Sequence, residues 1–518
     1  MDKLEKLRVV EVDAARVTGQ NQKEALRCVS AARAALLLRS GHQRHLAQAA
    51  RECGFQYVRF HGLFQDDMGV YREDGEGRPV YSWQYVDEVY DFLLENRLRP
   101  FVVFDFMPAA LASGSTTVYW ERANVTPPGS YKKWGALVAE TVRHFTRRYG
   151  RREVEKWYFE VWNEPDNPPF FVGNMEDYLR LYEVTARAVK AVDAAYRVGG
   201  PAVAGEVDWI RRLIQFSVER EVPLDFISAH SYAAKAFREE QDPVPVPGMP
   251  TWKPGPSWPL GNLCYDPCGL EQAVKAVKAA VEASPKPSLE IHFTEWGLTY
   301  DYWDPLRDSY HAASYILSRL HAVEDMVQSI SYCEASDVFE EDGPPTQAFH
   351  GGFGLVNLQG IRKPAYFAYR YLAQLGRERL AANDSDSIAC KDRQGVQILT
   401  WNSAVRQEGE NKAYYCREQP ALPAGRLRVV VKGMEPGRYL LQVYAVGYQK
   451  NDAYTLYQWM RRPDSLSKGQ VELLNGFAGD APLQVRLLEA EENEALMLPD
   501  LDEHENDVFL LKLTKLDG

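Results

Sequence analysis

Glu164 stands in "WYFEVWNEPD" (157–166), where an apolar aromatic run ends abruptly in an amide, a carboxylate and a proline. Buried strands avoid carboxylates, because an unpaired charge away from water is costly or shifts its pKa. A second apolar run, "LEIHFTEW" (289–296), closes in the same way on Thr294, Glu295 and Trp296. Two carboxylates facing each other from separate strand ends are the equipment for glycoside hydrolysis. One, protonated, gives its proton to the leaving oxygen; the other, ionised, attacks the anomeric carbon or activates water. Arg59 nearby would keep one ionised, while burial and mutual repulsion raise the pKa of the other.

Other strand ends are polar too: Arg59-Phe60-His61, His230-Ser231-Tyr232, and the run into Asp337, Glu340 and Glu341. A lone Glu at such a place is more often a surface or salt-bridged group, and a lone His a supporting one. A ring of polar ends reads as a site. Glu160 reads as structural: it shares the parity of Glu164 but lies deeper, where Arg59 pairs with it. Glu290 and His292 have the opposite parity to Glu295, which predicts that they face the helix layer.

These ends need a scaffold. Short apolar runs recur at 57–62, 99–106, 157–164, 197–203, 224–232, 289–296 and 329–337, with one more near 28–38. Amphipathic segments lie between them. One opens at Ser130, an N-cap, with Trp134, Leu137, Val138, Val142 and Phe145 on one face; another spans 177–192. Strand–helix alternation repeated about eight times predicts an α/β fold, a (β/α)8 TIM barrel. After about residue 380 the helices stop, and 396–402, 426–433, 438–447 and 507–516 read as strands of a C-terminal β-sandwich. The expected units are an N-terminal strand (1–14) joining the sandwich, a catalytic barrel (15–380) and the sandwich (381–518).

Composition narrows the class. The 518 residues are 45% hydrophobic and 25% charged, with net charge −12. That balance argues against nucleic acid or an anionic membrane as a partner. The basic run "RHFTRRYGRR" (143–152) closes a helix, where cations complement the dipole. The 12 Trp and 29 Tyr are core packing first and sugar-binding faces second. The N-terminus has no apolar leader and no window approaches a membrane span, so a cytoplasmic location is expected. Seven cysteines fit a reducing compartment. Cys264 and Cys268 lie close but lack a zinc-like partner set, so neither metal nor cofactor is expected. The sequons at Asn124 and Asn383 carry little weight without secretion. Homo-oligomerisation is left open.

Several long motifs, in order, carry a resemblance: "RFHGLFQDDMGVY" (59–71), "FEVWNEPD" (159–166), "HFTEWG" (292–297), "SDVFEE" (336–341), "GGFGLVNLQGIRKPAYFAY" (351–369) and "NDAYTLYQWM" (451–460). They resemble glycoside hydrolase family 39, the retaining β-xylosidases and α-L-iduronidases, on the xylosidase side. The resemblance implies that Glu164 is the acid/base and Glu295 the nucleophile. It implies that Asn163 contacts the sugar 2-hydroxyl, that His61, His230 and Tyr232 line the glycone pocket, and that Glu340 or Glu341 binds a hydroxyl. The implied substrate is a small xylo-oligosaccharide trimmed from its end with retention. One stretch departs. Where the xylosidases resemble "SYWTFSD", this chain reads "SYCEASD" (331–337), with Cys333 and Glu334. The missing Trp leaves other glycones open: arabinopyranoside, galactoside, glucoside or a uronide. Trp303 is a candidate to fill the gap. An inactive carbohydrate-binding protein is the alternative of another class, and two retained carboxylates speak against it.

Overall fold

The computed structural model describes residues 6–232, 234–237, 262–266, 268–404 and 414–516. Its centre is a closed barrel of parallel strands: β1 (Cys28–Arg33), β2 (Tyr57–His61), β3 (Arg99–Phe104), β4 (Tyr158–Val161), β5 (Arg197–Val203), β6 (Phe226–Tyr232), β7 (Glu290–Gly297) and β8 (Ser329–Tyr332). They neighbour one another in sequence order, and β8 closes on β1 through Tyr332 and Val29. A helix follows each strand, the first being Ser40–Cys53 and the last Pro364–Gln374. The expected TIM barrel is therefore present.

Local chemistry explains the helix starts. Ser130 accepts from Lys133 N–H and caps Tyr131–Tyr149, whose Trp134, Leu137, Val142 and Phe145 are buried. Asn174 and Asp177 form a reciprocal capping box on Met175–Val192. The basic run at the end of the first of these helices is held by acids: Arg148 pairs with Asp91 and Arg151 with Asp193.

The barrel interior is layered, as side chains from alternate strands fill it. The lowest layer is apolar, with Cys28, Phe101, Tyr158 and Phe226 in one cluster. Above it lies a charged layer of Arg59 and Glu160, both essentially inaccessible. Neither charge would be tolerated there alone.

Among the described residues the sheet unit contains ten strands, including Glu378–Ala382, Ser387–Asp392, Gly395–Trp401, Pro423–Lys432, Gly437–Val446 and Val508–Lys515. The N-terminal strand Leu7–Gln20 lies within this sheet, antiparallel to Glu378–Ala382 and parallel to Pro423–Lys432. On that pairing we propose two units, the barrel and a sheet unit that takes in both Leu7–Gln20 and the chain from Glu378 onward. Among the described residues no helix is long and apolar enough to cross a membrane. The side chain of Cys264 lies outside the described part of the chain.

Candidate active site

Glu164 and Glu295 meet at a cavity of about 240 Å³ formed at the C-terminal ends of the barrel strands. Each reaches it through a departure from regular strand geometry. β4 stops at Val161, and Trp162 and Glu164 then adopt φ values of 68° and 46°. Left-handed backbone at a non-glycine residue costs on the order of 1–3 kcal/mol and persists only where the surroundings impose it. Here they do: the Trp162 ring is buried with its Nε1–H donating to Phe170 O at 2.8 Å. Glu164 N–H donates to Ala202 O at 3.1 Å.

Glu295 arrives by a β-bulge. Along β6, Ala229 pairs with Phe293 and His230 with Glu295, so Thr294 is an extra residue in the ladder. This overturns the parity argument made from sequence. His292 does not face the helices; it packs inside the barrel against Phe101, Tyr158 and Phe226. Glu290 accepts from Tyr158 OH at 2.9 Å at the lower end of the barrel. The bulge lets His292, Thr294 and Glu295 all point inward.

Arg59 organises the floor. It donates to Glu160 at 2.9 Å, to Asn163 Oδ1 at 2.7 Å, and to Glu295. Thr294 OH donates to the other oxygen of Glu160 at 2.8 Å. Glu160 thus balances the buried guanidinium, as expected. Arg59 engages the Asn163 oxygen, and Asn163 is itself a cavity residue. Tyr232 OH donates to Glu295 Oε2 at 2.6 Å. Burial pushes the Glu295 pKa up, but the charges of His230 and Arg59 and the Tyr232 hydrogen bond outweigh it and hold the carboxyl at about 2.

His230 is fully buried and does not line the cavity; it sits behind the two carboxylates. Its Nδ1 lies 2.7 Å from Glu164 Oε1 and 3.7 Å from Glu295 Oε2. Burial opposes its charge, yet Glu295 and Glu164 raise its pKa overall. Asn167 Nδ2 donates to the other Glu164 oxygen at 3.0 Å. One ligand atom each from Glu164, His230 and Glu295 lies within 4.8 Å of the others. A cation would fit that spacing, but the Arg59 guanidinium in contact with Glu295 opposes one.

Glu340 and Glu341, which the sequence left as alternatives, are placed differently. Glu340 faces outward and pairs with Arg39, 2.8 Å in one of two contacts. Glu341 is in the cavity wall, 3.1 Å from His61 Nε2 and accepting from Tyr302 OH at 2.7 Å. Asp337 lies below, accepting from Lys363 at 2.8 Å and Gly354 N–H at 2.7 Å. Burial raises the Glu341 pKa to about 8 against the Tyr302 hydrogen bond, and the charges of Glu295 and Glu164 add to it.

Cys333 and Glu334 lie beyond the end of β8, so strand alternation does not separate them, and both line the cavity. Glu334 accepts from Ala32 N–H, and from Cys333 Sγ at 2.9 Å. Burial raises it to about 8, with the Glu295 charge adding to the effect. Trp303 does not fill the gap: its Nε1 donates to Asp342 at 3.0 Å, its ring meets His350, and it is not a cavity residue.

Apart from Ala204, the remaining wall is aromatic: Tyr119, Phe170, Tyr300, Tyr302, Phe339 and Phe353. These come from loops and were missed by reading strand ends. The aromatic density of "LTYDYW" (298–303), directly after Glu295, was the available signal.

The sequence matches the family model described as glycosyl hydrolases family 39 over residues 8–241 and 267–482. It is 39% identical over 461 residues to a beta-xylosidase of Geobacillus stearothermophilus, covering 86% of this chain and 84% of that one. It is 35% identical over 482 residues to a beta-xylosidase of Caldicellulosiruptor saccharolyticus, with 90% and 91% covered. The crystal structure of the GH39 enzyme from Xanthomonas axonopodis pv. citri superposes with a TM-score of 0.91 at 35% identity, covering 98% of this chain and 97% of that one.

Proposed function

The chain belongs to glycoside hydrolase family 39, an enzyme family with carbohydrate substrates, and from that premise we propose that it is a retaining, exo-acting β-xylosidase that releases xylose from xylo-oligosaccharides. Glu295 is the nucleophile and Glu164 the acid/base. In the first step a Glu295 oxygen bonds to the anomeric carbon. The glycosidic C–O bond breaks, and the leaving oxygen takes the Glu164 proton. In the second step Glu164 removes a proton from water, the water oxygen attacks the same carbon, and Glu295 departs as a carboxylate.

One observation carries this reading: an oxygen of Glu164 and an oxygen of Glu295 lie within 4.8 Å. Retaining enzymes keep the two carboxyls about 5–5.5 Å apart, whereas inverting ones leave about 6.5–9.5 Å for a water. The low pKa of Glu295 suits a group that must be ionised before attack. The NH2 of Asn163 suits the 2-hydroxyl, and His61, Tyr232 and Glu341 suit the rest of the glycone. Among the described cavity residues there is neither Lys nor Arg, which disfavours a uronide.

A 2-fluoro-xyloside should label Glu295, and Glu295→Gln should fold and lose turnover. Label on another carboxylate, or an inverted product by NMR, would refute the assignment.

A further inference from the structure

The wall beside Glu295 holds a polar group that the reaction above does not use. Cys333 and Glu334 follow β8, next to the strand that carries Glu295, while Glu164 arrives from β4 across the barrel. The leaving group departs beside the proton donor, so the β8 wall faces the sugar that stays. A terminal xylosyl unit offers three hydroxyls to bind. Asn163 and the linked group of His61, Glu341 and Tyr302 already present an amide, an imidazole, a carboxyl and a phenol to them.

Glu334 shares none of those partners. One oxygen accepts from Ala32 N–H and the other from the Cys333 thiol. With its pKa near 8 the carboxyl carries a proton at neutral pH. That O–H cannot be accepted by Ala32 N–H, and a thiol sulfur is a weak acceptor. The proton is thus available to an acceptor in the cavity that Glu334 lines. Beside it, Cys333 puts a small side chain in the cavity wall, and Trp303, held on Asp342, does not cover it.

We infer that Cys333 and Glu334 form a recess for one more polar substituent on the glycone, the C5 hydroxymethyl group that a hexopyranoside has and a xyloside lacks. The inference rests on the β-glycosidase reading above. It makes Glu334 a specificity-determining residue of the same site. The titratable groups facing it are Cys333, Glu295 and Glu341.

The test is kcat/KM for nitrophenyl β-D-xyloside, β-D-glucoside and β-D-galactoside in the wild type, Glu334→Ala, Glu334→Gln and the double variant Cys333→Trp/Glu334→Thr. The wild type should hydrolyse at least one hexoside within about 100-fold of the xyloside, because a pocket with room and a hydrogen-bonding partner discriminates weakly against the larger sugar. Glu334→Ala should lower the hexoside value about tenfold more than the xyloside value. Glu334→Gln, which keeps a donor, should restore most of that ratio. The double variant should abolish hexoside turnover while still being labelled by the 2-fluoro-xyloside, which reports that it is folded. A wild type selecting xyloside by more than about 1,000-fold, or Glu334→Ala lowering both sugars equally, would overturn the inference while leaving the xylosidase reading intact. Failure to cleave or be labelled by any of these glycosides would instead remove the xylosidase reading, and the inference with it.

Discussion

Glu164 and Glu295 are the same residue type in one cavity, and their neighbours separate them. Glu295 is met by Arg59 and by Tyr232 OH, while Glu164 is met by His230 and Asn167. If Glu164 supplies the proton, its loss should matter in proportion to the leaving group's need for one. Glu164→Ala should lose about 10²–10⁴-fold on poor leaving groups and much less on activated aryl ones. Azide should restore deglycosylation and yield a glycosyl azide; equal losses on both substrates without rescue would count against the role. Both carboxylates stood out in the sequence because a charge after an apolar run requires a reason. Glu340 and Glu341 could not be separated there, since they lie in an irregular segment where period-two logic is silent. Only the position of Arg39 shows that Glu340 turns outward.

At the level of elements, the bulge in β7 does what a regular strand cannot. It aims Thr294 and Glu295 into the same interior, one at the buried ion pair and one at the cavity. Thr294→Val would keep the shape and remove the donor to Glu160, leaving a buried carboxylate oxygen short of a partner at a cost of about 1–3 kcal/mol. The expected result is a lower Tm by calorimetry together with reduced kcat, because Arg59 links Glu160 to Glu295. An unchanged Tm would mean that the hydrogen bond contributes nothing. The strands, their order and the helix caps at Ser130 were legible, because apolar runs and capping residues are local signals. The bulge was not: an inserted residue leaves composition unchanged and shifts only the register. The parity assigned to His292 therefore failed, while the strand containing it was correctly placed. The aromatic wall was illegible for a related reason, since loops bring it together without any period.

Across the whole molecule, the acids of the cavity make stability depend on pH in two directions. Glu334 and Glu341 are raised to about 8 from an ordinary value of 4.5, so the folded protein holds more protons than the unfolded one between those values. Their contribution is full below about 4.5 and is lost as pH rises through about 8. Glu295, at about 2, contributes above 4.5 and loses that contribution as pH falls towards 2. The Tm of the wild type should therefore fall more between pH 6 and pH 9 than that of a Glu334→Gln/Glu341→Gln variant. Parallel curves by scanning fluorimetry would show that these carboxyls are not the source. The N-terminal strand Leu7–Gln20 sets a different constraint, one of time. Glu11 N–H bonds to Asn383, 372 positions later, and Leu7 pairs with Arg426. At about 5–20 residues per second of synthesis, this strand waits roughly 20–75 s for its neighbours. Throughout that interval a valine-bearing ribbon with both edges open hangs from the ribosome beside a barrel still being built. The sheet is finished only when strands translated much later close around it.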